Sequence, residues 1–279
     1  FENYSTDLLY EFLGQFTLPR TPGSQFEYSN AGMGLLGHLL ALSQNSDYET
    51  LLRERVLDPL GMFDTAIELD PFQKSRRAPG HHGVVERPPF EMNSLRAAGG
   101  IKSTAADLAT YLEFQLGIRS GPISPALDRS HQMSFDLPDT PGTPYDLGLG
   151  WWLWDGGDLV QHGGESFGST VFIGFRQSTG TGVVVLSNNR AHYPAGISDL
   201  GFHCLATADI GLDILMGFNY HPTSGDVISL DYRQDGGQSI NLGASGTPAS
   251  YRSPWLGGVA DPPDGRSRGR PWIPARDLG

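Results

Sequence analysis

Ser169-Thr170-Val171-Phe172-Ile173-Gly174-Phe175-Arg176, then Gln177-Ser178-Thr179-Gly180, then Thr181-Gly182-Val183-Val184-Val185-Leu186-Ser187-Asn188 reads as two strands joined by a short polar turn. β-Branched and aromatic side chains fit a pleated, half-buried surface. The run Val183-Val184-Val185-Leu186 shows no polar alternation, so it suits a strand covered on both faces. Residues 147–153 read as a further strand and 196–205 as a helix. From about residue 145 onward the chain is therefore expected to build a sheet.

Upstream of that sheet the period changes to that of helices. Leu8, Leu9, Phe12, Leu13 and Phe16 follow helical spacing, with Ser5 or Thr6 as N-cap. Pro19, Pro22 and Gly23 break the pattern. A second helix is predicted from Ser29 or Asn30, carrying Met33, Leu35, Leu36, Leu39 and Leu40, and a third over 47–57. Residues 70–100 contain Pro71, Pro79, Pro88 and Pro89 without a clear period and read as a long surface loop. Another helix is expected with Ser103 as cap and Gly117 as its stop, burying Leu108, Tyr111, Leu112 and Leu116.

Composition narrows the function classes. The chain has 279 residues, 18% of them charged, and a net charge of −12, which gives it no overall nucleic-acid footprint. The single cysteine, Cys204, excludes an intrachain disulfide and a Cys-rich zinc site. The histidines lack a metal-site spacing such as H-E-x-x-H, so no metal or other cofactor is expected. No apolar window is long enough for a transmembrane helix. After about 217 the pattern decays, and residues 243–279 are rich in Gly, Pro, Ser and Arg. We therefore expect a folded unit over 1–209 and an extension over 210–279, disordered from about 243.

Three stretches could carry chemistry. In Tyr28-Ser29-Asn30, the phenol can shuttle a proton where cations stabilise its phenolate, and the Asn amide can meet a substrate carbonyl. An ordinary core Tyr beside a helix cap explains the same triplet. Gly164-Glu165-Ser166-Phe167-Gly168 fits G-x-S-x-G, but a strand follows where that nucleophile elbow needs a helix, so Ser166 is set aside. In His162-Gly163-Gly164, just before the strand, the glycines let a ligand approach the backbone and the His offers a proton or charge. A plain turn explains that triplet as well. The Trp151-Trp152-Leu153-Trp154 cluster reads as a strand with one wall in the core.

Taken in order, Pro22-Gly23-Ser24-Gln25-Phe26-Glu27-Tyr28-Ser29-Asn30-Ala31-Gly32, Asp58-Pro59-Leu60-Gly61-Met62 with Asp64-Thr65, Ala98-Gly99-Gly100-Ile101-Lys102-Ser103-Thr104-Ala105-Ala106-Asp107-Leu108, then Tyr145, Gly148-Leu149-Gly150-Trp151, His162-Gly163-Gly164 and Gly168 resemble the serine β-lactamase-like superfamily. The similar branch holds class C β-lactamases, esterases and D-alanyl-D-alanine carboxypeptidases. The resemblance spans about residues 5–206. It implies an α+β fold: an antiparallel sheet flanked by helices, a mostly helical region, and an active site between them. It implies that Tyr28 is the proton shuttle, that Asn30 orients the substrate, and that His162 stands where many relatives carry a Lys. Gly163 and Gly164 would keep the strand edge open, and the backbone N–H of Glu165 would donate to the oxyanion.

One motif of that family is missing. Its nucleophile is the Ser of Ser-x-x-Lys, and the two lysines here, Lys74 and Lys102, have Pro71 and Gly99 three residues before them. The expectation is an N-terminally truncated hydrolase that is inactive alone, with an exposed sheet edge along 181–188. The substrate would be an ester, a D-amino-acid peptide or a β-lactam, and a cationic His162 would make activity fall as pH rises through about 6.5–7.5. The alternative is a non-catalytic module binding cell-wall-peptide-like ligands. The partners expected are a small-molecule or peptide substrate and no nucleic acid. The residues set neither oligomeric state nor compartment, and only the resemblance implies a periplasmic or secreted setting.

Overall fold

The structure, a computed structural model, describes residues 3–135, 146–190, 206–216, 227–232, 242–244 and 247–249. The first part is helical. α1 (Thr6–Gln15) starts at Ser5, whose hydroxyl accepts from the Leu8 amide. α2 (Asn30–Ser43) starts at Ser29, whose Oγ accepts from the Gly32 amide at 3.0 Å. α3 (Tyr48–Leu52) is capped by Asp47 and runs on through a π turn, Arg53–Leu57, into the short α4 (Asp58–Leu60). These starts follow from cap residues that satisfy otherwise orphaned amides.

α2 inverts the expected use of its side chains. Its buried positions are Gly34, Gly37 and Ala41, while Met33, Leu36, Leu39 and Leu40 are about half exposed. The small face lets the 3-10 turn Asn93–Ala98 press directly onto the helix. A Cβ at Gly37 would lie 2.1 Å from the Ala97 Cβ, and one at Gly34 would lie 2.9 Å from the Leu95 Cα. Leu95 and Met92 are buried there with Leu9 of α1.

Residues 70–100 are structured, which corrects the expected long loop. Asp70 and Gln73 form a reciprocal capping box around Pro71 that starts α5 (Pro71–Arg76). β1 (Gly80–His82) and β2 (Val85–Arg87) make a hairpin. The prolines mark the joints between these short pieces. The next helix, α6 (Ala105–Gln115), is capped by Thr104 and not by Ser103. The Ser103 hydroxyl instead meets the Thr65 hydroxyl at 2.7 Å. Thr65 also donates to Asp107 Oδ2 at 2.7 Å, and the Asp64 amide donates to the same oxygen at 2.9 Å. A short helix, α7 (Leu127–His131), completes this part.

The sheet contains β3 (Asp146–Leu147), β4 (Trp152–Trp154), β5 (Leu159–Glu165), β6 (Thr170–Arg176), β7 (Thr181–Ser187) and, after helix α8 (Ala206–Leu215), β8 (Val227–Tyr232), in that spatial order. β3 to β7 are antiparallel, and the hairpin β6–β7 turns through 177–180 as its sequence predicts. β8 lies parallel to β7 and pairs with its outer edge, so the exposed edge expected along 181–188 is covered. A small hairpin, β9 (Leu242–Ala244) and β10 (Thr247–Ala249), follows. The helix expected over 196–205 and most of the extension beyond 243 lie outside the described residues.

Both faces of β7 are buried, as its unbroken apolar run requires. Val183 and Val185 pack with Leu159, Phe172, Ile214 and Leu215, the last two from α8. Val184 packs on the other face with Val160, Phe175, Trp151 and Leu112 of α6. α8 runs through residues 209 and 210 and is part of this core.

Candidate functional site

The structure places His162-Gly163-Gly164-Glu165 inside β5 and not in a turn before a strand, which corrects that reading. The reason lies in the partners. β6 pairs with β5 along its whole length, from Leu159↔Arg176 to Glu165↔Thr170. β4 reaches only residues 159–161 on the other side. Among the described residues, 162–165 therefore have a strand on one side only. Close packing does not demand a glycine at 163, where a Cβ would meet nothing nearer than 3.5 Å, whereas one at Gly164 would lie 3.3 Å from Val171 Cγ1. An unpaired edge next to small residues can accept an extended ligand through its main chain.

His162 is half-buried. Its Nδ1–H donates to the Gly163 carbonyl at 2.7 Å, which leaves Nε2 as the unprotonated nitrogen of the neutral ring. Burial lowers its pKa from the usual His value, and the bond to Gly163 only partly opposes this. The neutral ring is thus the resting form at pH 7, and the window in which a cationic His162 acts moves to lower pH.

Tyr28 and Asn30 arrive from the helical part. Tyr28 directly precedes the cap of α2 and is half exposed; Asn30 is the first residue of that helix. No hydrogen bond joins Tyr28, Asn30 and His162 among the described residues. A line of rings links their segments instead. Phe26 packs edge-on against Trp152 at 5.8 Å, and the Trp152 ring lies 6.3 Å from His162. Trp152 and Leu147 are buried with Phe26 and Phe135 around them, so the tryptophan cluster is the core wall its sequence predicts.

The far end of β5 is held by ions and close backbone contacts. Arg190 grips the Glu165 carboxylate with Nη2 to Oε1 at 2.7 Å and Nε to Oε2 at 3.2 Å. The hairpin β1–β2 is stitched to the same end. The His81 amide donates to the carbonyls of Gly168 and Asn188, both at 2.8 Å, and the Arg190 amide donates to the His81 carbonyl at 2.7 Å. A Cβ at Gly168 would lie 2.6 Å from the Gly80 carbonyl carbon, so this seam admits no side chain there. Ser166 sits in the turn after β5 and accepts from the Ser169 amide at 3.1 Å, a turn role that agrees with setting it aside as a nucleophile.

Beside this seam lies a cleft of about 330 Å³ lined by His82, Arg87, Pro88, Phe167 and Arg190. No motif points to it, because its two arginines come from segments brought together only by the hairpin seam. Lys102 Nζ donates to the Ile67 carbonyl at 2.9 Å and pairs with Glu91 at 3.2 Å, a bracing role in the helical part.

A sheet flanked by helices with a half-open strand carrying His-Gly-Gly, bordered by a Tyr-x-Asn helix start, defines a β-lactamase and penicillin-binding-protein-like fold. Residues 2–202 match the β-lactamase family model, and the chain belongs to that family. It is 31% identical over 153 residues to the D-alanyl-D-alanine-carboxypeptidase/endopeptidase AmpH of Escherichia coli K12, covering 51% of this chain and 38% of AmpH. It is 26% identical over 223 residues to a β-lactamase of Pseudomonas fluorescens, covering 67% and 60% respectively. The D-alanine carboxypeptidase AmpC of Burkholderia cenocepacia superposes with a TM-score of 0.55 at 21% identity, covering 61% of this chain and 58% of that one. A β-lactamase from Sulfitobacter sp. EE-36 gives 0.54 at 18% identity, covering 62% and 56%. These structural likenesses establish the fold. In each case the match takes in less than two thirds of the relative's own length.

Proposed function

We propose that this chain forms the acyl-binding side of a serine hydrolase site that works through an acyl-enzyme on an ester, a D-amino-acid peptide or a β-lactam. The observation that carries the reading is the half-paired strand edge 162–165 coupled through Trp152 and Phe26 to the Tyr28-x-Asn30 segment. An extended acyl chain laid along that edge takes main-chain hydrogen bonds. The Glu165 amide is the oxyanion donor, because such donors are fixed by the strand and not by a side chain. Asn30 meets the substrate amide, and Tyr28 moves the proton between the attacking hydroxyl and the leaving group. His162 acts as a neutral ring whose Nε2 accepts a hydrogen bond.

Residues 1–279 contain no Ser-x-x-Lys, so that motif supplies no attacking hydroxyl here. We therefore propose that the chain alone binds such ligands without turning them over. The test incubates it with a chromogenic cephalosporin and a short acyl ester, followed by intact mass. Neither colour nor added mass is expected; a covalent adduct on a Ser within 1–279 contradicts the proposal. The missing motif also favours a second reading, a non-catalytic module for cell-wall-peptide-like ligands. It is distinguished by adding back a family front segment that carries Ser-x-x-Lys: restored turnover supports the hydrolase, and unchanged binding without turnover supports the module.

A further inference from the structure

We infer that Arg87 and Arg190 form a subsite for an organic carboxylate at the end of strand β5, with Phe167 and Pro88 receiving the apolar group next to it. The inference rests on the strand-edge reading above for the direction from which a substrate arrives. Four observations carry it. First, both guanidinium groups line the same cleft, and no Asp or Glu is among the residues that line it. A cationic cleft in a chain of net charge −12 is a local feature and not a general surface property.

Second, the two arginines are differently prepared. Arg190 is held in a two-pronged pair with Glu165, so its position is fixed and its charge balanced. Arg87 is exposed on β2, and its Nη2 lies 3.4 Å from His82 Nδ1, which is the acceptor in that contact. No carboxylate lines the cleft beside Arg87. The cleft thus carries about one net positive charge and suits a monoanion better than a phosphate dianion. Third, the apolar wall is oriented: Phe167 stands edge-on to Phe90 at 4.9 Å. Fourth, the cleft adjoins the end of β5. Glu165 ends β5, Phe167 follows two residues on, and Arg190 is bound to Glu165 itself. An acyl chain running along 162–165 therefore brings its far end to the two arginines.

The test uses the full chain, with hippurate as the probe and hippuramide as its uncharged control. The side-chain Nε–Hε resonances of Arg87 and Arg190 are followed by NMR. Saturable shifts at both arginines with hippurate, at least tenfold weaker with hippuramide, are expected. Arg87→Gln should remove that preference while leaving the fold intact, because the residue is exposed. Equal responses to acid and amide, or none at either arginine, overturn the subsite. The strand edge is read separately with Gly163→Val. Loss of N-acetyl-D-Ala-D-Ala binding in that variant, with equal acid and amide responses at the arginines, leaves the edge standing and the subsite refuted. Hippurate shifts at the arginines without any peptide binding to the edge do the reverse.

Discussion

Phe26 meets the indole of Trp152 edge-on, ring centroids 5.8 Å apart and planes at 86°. This contact fastens the loop before Tyr28 to the sheet beside His162. An aromatic pair of this kind contributes about 0.5–1.5 kcal/mol beyond its buried area. Phe26→Leu should therefore destabilise by about 1 kcal/mol in urea melts. Trp152→Leu should do more, opening the cover over His162 and raising its pKa towards the ordinary value. An NMR titration of His162 reads this, and an unchanged titration in Trp152→Leu would show that the indole does not bury the ring.

Acid should weaken the fold through two imidazoles. Burial lowers the pKa of both His162 and His131, opposed by the Gly163 carbonyl and by Asp128 respectively. Nε2–H of His131 donates to Gln115 Oε1 at 2.7 Å. Each folded pKa lies below the unfolded one, about 6.5, so the unfolded chain takes up protons first. The stability they contribute is complete above about 6.5 and is lost as pH falls through the lowered folded values. Urea midpoints between pH 7.5 and 5 should fall in the wild type and less steeply in His131→Gln. Parallel curves would remove His131 from the account.

A third acid-sensitive group sits at the β5–β6 end. Burial alone would raise the Asp158 pKa. The Ser178 amide and hydroxyl, together with Arg176, outweigh this and hold it below the usual carboxylate value. Its contribution is present above the unfolded Asp value, about 3.9, and is lost as pH drops through the depressed folded one. Ser178→Ala should move the Asp158 titration upward; an unmoved titration would contradict the assigned hydrogen bonds.

Two glycines in helices should respond oppositely to Ala. Gly14 in α1 has nothing within 4 Å of a Cβ, so Gly14→Ala should gain up to about 1 kcal/mol of helix propensity. Gly37→Ala earns the same propensity but drives a Cβ to 2.1 Å from Ala97. Overpacking of about 1–3 kcal/mol outweighs it, so this variant should melt lower. Stabilisation by both changes would show that α2 does not press on the 93–98 turn.

The apolar outer face of α1 and α2 should make the chain self-associate. Leu8, Phe12 and Phe16 of one segment and Met33, Leu36 and Leu40 of the other are all more than two fifths exposed. Exposed large apolar side chains in such numbers favour association. Light scattering should show concentration-dependent growth, reduced in Leu36→Gln/Leu40→Gln. A monomeric wild type at high concentration would contradict this.

The legibility of the sequence varied with the source of each signal. Ser5, Ser29 and Asp47 announce their helices because a cap is a local bond to an amide three residues on. Val183 to Leu186 announces a doubly covered strand for the same local reason. Residues 70–100 were opaque because each piece there is short and is fixed by partners far along the chain, as His81 is by Gly168 and Asn188. The period of α2 pointed to its leucines, while the close approach of Leu95 and Ala97 selected its glycines. The family motifs placed Tyr28, Asn30 and His162 as candidates. Arg87 and Arg190 carry no motif, and only the hairpin seam brings them to one cleft.

The central claim is that the edge 162–165 and the Tyr28-x-Asn30 segment hold one ligand together. An amide-shift titration of the chain with N-acetyl-D-Ala-D-Ala tests it most directly. The account predicts saturable shifts, with one shared affinity, at Gly163, Gly164 and Glu165 and at the side-chain amide of Asn30. Shifts confined to one of the two segments, or absent from both, would contradict it.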